Sequence, residues 1–124
     1  MDNNDRYNQF ILELINRTKL KKIEWKYLDD NAELESKLKY SKANLPGSYD
    51  TDQSFYFSEG NSYVVLFTTN GKYVNTILLV VPSTFRQIKL ISDDEYTANL
   101  TRLLENVKRC FPNAEDFIDE FLES

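Results

Sequence analysis

Over residues 63–81 two apolar runs flank a short polar break. Tyr63-Val64-Val65-Leu66-Phe67-Thr68-Thr69 and Lys72-Tyr73-Val74-Asn75-Thr76-Ile77-Leu78-Leu79-Val80-Val81 are rich in β-branched and aromatic residues, which suit strands. Between them stands Asn70-Gly71. A two-residue type I′ turn favours that pair because both of its central residues need positive φ. A hairpin closed there sets Thr69 opposite Lys72, Phe67 opposite Val74, Val65 opposite Thr76 and Tyr63 opposite Leu78. Residues 77–81 are apolar on both faces, as in a central strand covered on both sides. Residues 53–58 predict a preceding strand, with Phe55 and Phe57 on one face and Tyr56 on the other. These three strands form an antiparallel meander. Residues 85–91 predict one more short strand or an extended lead into a helix.

Helical spacing governs both ends of the chain. Tyr7, Phe10, Ile11, Leu14 and Ile15 form one stripe, predicting a helix over residues 5–18 with Asn4 as its cap. Over residues 20–28 the period changes. Ile23, Trp25 and Tyr27 alternate with Lys22, Glu24 and Lys26, which predicts a half-buried strand. Residues 29–52 are the least determined. Asp30 and Glu33 mark the start of a short helix through Leu34 and Leu38, and Asn44-Leu45-Pro46-Gly47-Ser48 has turn chemistry. So long a connection is either functional or a plain surface loop.

At the C-terminal end, Ser92 and Glu95 have capping-box spacing, and Ile91 and Tyr96 are placed as a hydrophobic staple. Tyr96, Leu100, Leu103, Leu104 and Val107 form a buried stripe, with Cys110 expected as a small core residue. Phe111-Pro112 stops this helix. Asn113 caps a last one, whose apolar face is Ala114, Phe117, Ile118, Phe121 and Leu122. The expected architecture is a single α+β domain over residues 1–124. It has a mostly antiparallel meander sheet of three to five strands, with an N-terminal helix and two C-terminal helices packed on it.

Composition narrows the function. A chain of 124 residues can bury a core without staples. With one cysteine it has no intramolecular disulfide, so a reducing, cytoplasmic setting is expected. No signal-peptide pattern or membrane-spanning run is visible, so no membrane partner is expected. Net charge is −5, and it is uneven: residues 92–124 hold nine acids against three bases. That balance makes nucleic acid an unlikely partner. Arg17, Lys19, Lys21, Lys22 and Lys26 crowd together and admit a phosphate or nucleic-acid reading. A solvated strand face beside a helix C-terminus accounts for them more simply.

The chain has no histidine, which removes the commonest general base, the Ser-His and Cys-His nucleophile pairs and the usual zinc ligand. It has no Gly-rich phosphate loop, and Asp93-Asp94-Glu95 and Asp29-Asp30 lack EF-hand spacing. No carboxylate pair stands out for hydrolysis. The expectation is a non-enzyme with no cofactor and no metal.

Phe10-Ile11-Leu12-Glu13-Leu14-Ile15-Asn16-Arg17-Thr18 followed by Ile23-Glu24-Trp25 is one part of a wider pattern. Ile88-Lys89-Leu90-Ile91, the Ser92 helix with Leu103-Leu104, and Phe111-Pro112 before an acidic helix complete it. Together they resemble small uncharacterised accessory proteins carried by phages and mobile elements of AT-rich Gram-positive bacteria. The resemblance implies phage–host or toxin–immunity conflict. The expected function is a protein-binding module, such as an immunity or anti-defence inhibitor. The alternative is a small-ligand or nucleic-acid-linked regulatory domain. Asp116, Asp119, Glu120 and Glu123 are the expected contacts to a partner with a basic surface. Tyr40 and Tyr49 are expected to flank them, since tyrosine offers large contact area with few rotors.

Overall fold

The computed structural model describes residues 3–40, 49–70 and 75–124. Five antiparallel strands lie in sequence order: β1 (Lys26–Tyr27), β2 (Phe55–Glu59), β3 (Ser62–Thr68), β4 (Thr76–Val81) and β5 (Lys89–Ile91). The helices are α1 (Asn3–Lys19), α2 (Ala32–Tyr40), α3 (Thr97–Lys108) and α4 (Ala114–Glu123). The α+β meander, with its N-terminal helix and two C-terminal helices, is as expected.

Successive strand residues point to opposite faces, so the sheet builds two cores. On the first face Phe55, Phe57, Val64, Leu66, Leu78 and Ile91 pack with Ile11, Leu14 and Ile15 of α1 and with Leu100, Leu103, Leu104 and Val107 of α3. On the second face Tyr56, Val65, Phe67, Leu79 and Val81 pack with Leu28 and with Leu34 and Leu38 of α2. β4 therefore contributes to both cores, as its two-sided apolar run predicts. The second cover is α2, from the stretch that the sequence determined least.

The hairpin register differs from the predicted one. Thr68 pairs with Thr76, Phe67 with Ile77, Val65 with Leu79 and Tyr63 with Val81. That is three residues further along β4 than a two-residue turn allows. An odd slip exchanges the faces of a strand. Here it sets Ile77, Leu79 and Val81 with Val65 and Phe67, and leaves Leu78 for the other core beside Leu66. Burial on two faces decides the register. The connection is closed by Thr69 and Asn75: Thr69 N donates to Asn75 O at 2.9 Å, and Asn75 N donates to Thr69 Oγ1 at 2.9 Å. The turn assigned to Gly71 and the one at residues 44–48 lie outside the described residues.

Local expectations are corrected in four other places. The predicted strand over residues 20–28 shrinks to two residues. α1 persists to Lys19, Lys21 turns left-handed (φ 57°), and Trp25 is buried instead through a 3.0 Å bond from its Nε1 to Thr18 Oγ1. Asn31 caps α2 in place of Asp30, its Oδ1 accepting from Leu34 N at 3.0 Å. A 3-10 turn, Asp94–Tyr96, precedes α3, so Ser92 sits too early to cap it. Ile91 and Tyr96 are nonetheless buried in the same core. Cys110 is exposed rather than packed, lying beyond the last buried turn of α3.

Candidate functional site

The C-terminal segment departs most from a packed domain. α3 winds down through Phe111, whose N donates to Lys108 O at 3.2 Å. The Phe111 ring then lodges against Tyr27 and Phe55, with centroids 4.5 and 5.2 Å away. Pro112 follows and cannot extend a helix. Asn113 restarts the chain, its Oδ1 accepting from Asp116 N at 2.9 Å, as its cap position predicts.

α4 then buries none of its residues. Phe117 is 67 % exposed, Ile118 46 %, Phe121 69 % and Leu122 76 %. The Phe117 and Phe121 rings stack at 6.3 Å and 28°, so the stripe forms a continuous ridge. The expectation that this helix packs on the sheet is overturned. Single exposed apolar residues are ordinary, whereas these four make one contiguous exposed patch.

The acids of α4 take the other side. Asp116, Asp119, Glu120 and Glu123 line an open cleft of about 280 Å³ with Arg109, Cys110, Phe111 and Pro112. Among the described residues the ion pairs are Arg17–Glu13, Lys37–Glu33 and Lys39–Glu35, and none involves α4. All four expected contact acids thus stand together on one short element with no ion-pair partner.

The two tyrosines are placed differently. Tyr40 ends α2 and is 91 % exposed. Tyr49 is half-buried. Its hydroxyl donates to Glu35 Oε1 at 3.0 Å, and its ring meets Phe67 edge-on at 4.8 Å. Burial, and then the Glu35 carboxylate, push its phenol up to about 12. Tyr49 is therefore built into the second core, while Phe111, from which α4 departs, packs on the first. The structure gathers the four acids and ties Tyr49 to the opposite face of the sheet. The side chains that sequence reasoning passed over are Phe117, Ile118, Phe121 and Leu122. Their spacing was legible, but it was assigned to the core.

A second concavity, about 680 Å³, lies between α1 and the β2–β3 hairpin. Phe57, Val64 and Leu14 form its apolar floor, and the Glu13–Arg17 pair and Lys22 line it. Among the described residues no group of three or more His, Cys, Asp or Glu is placed to hold a metal ion, and no helix is long and apolar enough to cross a membrane. No family model, curated protein or solved structure matches the chain.

Proposed function

We propose that this protein is a non-enzymatic protein-binding module that uses α4 to recognise a protein with a basic surface. The observation behind the reading is a capped amphipathic helix held off the core, with its apolar stripe exposed and, among the described residues, no ion pair to its acids. Such a helix is costly to leave in water and is suited to a partner's groove. The resemblance to phage and mobile-element accessory proteins adds a setting, in which the module acts as an immunity or anti-defence inhibitor in the cytoplasm.

The test is retention of host-cell protein by the tagged chain at low and at high salt. A protein retained at low salt, released at high salt and lost when Asp119→Lys and Glu120→Lys are combined supports the reading. Salt-sensitive retention of nucleic acid instead supports a regulatory domain that acts with nucleic acid. A small-ligand domain is the remaining second reading. It draws on the 680 Å³ concavity, whose size falls in the usual range for ligand pockets, about 300–1,000 Å³.

A further inference from the structure

At 3.6 residues per turn the side chains of α4 sort completely. Ala114, Phe117, Ile118, Phe121 and Leu122 fall on one side, at the spacing that helices use to enter a groove. Glu115 lies two turns below Leu122, along one edge of the stripe. Glu120 lies one turn from Phe117, along the other edge. Asp116, Asp119 and Glu123 occupy the back. The geometry agrees, because the back acids and Glu120 line the cleft beside Arg109 and none of the apolar side chains does. Phe111 and Pro112 fix this orientation, so the stripe faces away from the chain's own core.

We infer that α4 inserts its apolar ridge into a concave apolar groove of a different protein, whose two rims carry Lys or Arg that meet Glu115 and Glu120. The inference rests on the reading of α4 as the recognition element and divides its acids into rim and back. Charge selects the partner. α4 carries five acids and no base, so two copies of it repel each other. The 680 Å³ concavity of this same chain sets Glu13, Glu24 and Glu59 against Arg17 and Lys22, with Arg17 already bound to Glu13 at 2.9 Å, which does not complement an acidic helix. A second copy of the chain is thus a poor occupant. A basic-rimmed groove satisfies both the ridge and its edges, with the rim charges acting mainly on association rate.

The test uses the full chain with a benzophenone side chain at position 121 or, as a back-face control, at position 119, irradiated in host-cell extract. The expected product is a cross-link from position 121, but not from 119, to one foreign protein. The captured peptide should hold apolar residues with a Lys or Arg close by. With that protein purified, Phe117→Ser combined with Phe121→Ser should weaken binding at least roughly tenfold. Glu115→Lys with Glu120→Lys should slow association roughly tenfold at low salt, and Asp116→Lys with Asp119→Lys should slow it several-fold less. Each variant should keep the wild-type unfolding midpoint, because α4 buries nothing. Equal cross-linking from both positions, cross-links only to a second copy or to lipid, or equal effects of the two charge reversals would overturn the inference. Loss of binding on acid reversal with the Phe variants unaffected would also overturn it, while leaving α4 as the recognition element. No retained protein in any arm would remove both.

Discussion

α3 and α4 are consecutive amphipathic helices of similar length, and their fates differ. α3 sets Leu100, Leu103, Leu104 and Val107 into the first core, all of them buried. α4 has the sharper separation of apolar from acidic residues and buries nothing. The difference lies in the link between them. Phe111 occupies the aromatic site between Tyr27 and Phe55, and Pro112 breaks the helix there. The sheet's two faces are covered by α1, α3 and α2, and α4 packs on neither. Amphipathicity shows that a helix has a face to bury, and connectivity decides against what.

The largest test of this contrast is a pair of truncations. Leu103→Ala should cost about 2–5 kcal/mol, because it empties a fully buried position in α3. Phe121→Ala should stay within about 0.5 kcal/mol of wild type in chemical denaturation. Equal losses would mean that α4 is packed after all.

A smaller effect distinguishes the two tyrosines that were expected to flank the acids. Tyr49→Phe removes the hydroxyl bound to Glu35 and should cost about 1 kcal/mol at neutral pH. Tyr40→Phe should cost nothing measurable, since Tyr40 is almost fully exposed. The Tyr49 phenol is raised in the fold from 10.0 to about 12, so folding favours its protonated form. That contribution is complete below pH 10 and is lost as pH rises through about 12. Stability measured across this window should fall less steeply for Tyr49→Phe than for wild type. Identical pH profiles would show that folding does not raise the Tyr49 phenol.

The smallest effects belong to the caps. Ser92→Ala should leave the unfolding midpoint unchanged, because α3 begins five residues later. Asn113→Ala should lower the helicity of α4, at a local cost of about 1 kcal/mol, again without moving the global midpoint. A midpoint shift for either would show that its helix starts, or is coupled to the core, differently.

Local elements whose signals lie within a few residues are legible in the chain's pattern. These are the α1 stripe, the buried run of α3, the two-sided apolar β4, the Asn113 cap and the clustering of acids on α4. The α+β meander followed from those periods. The rest was settled by contacts between distant parts of the chain. The Asn70-Gly71 pair argued for one register, and the need to bury both faces of β4 imposed another, three residues along. Residues 29–52 were the least determined, and the short helix expected through Leu34 and Leu38 gave no sign that it covers the second face of the sheet. Tyr49 looked like a surface anchor, yet its ring and hydroxyl are taken by Phe67 and Glu35. The apolar stripe of α4 was legible from the start, but periodicity gives the direction of a face within its own helix and carries no information on what stands opposite. That depends on which sheet surfaces the other helices have already covered and on where Phe111 anchors the chain. Both are long-range facts, settled by packing.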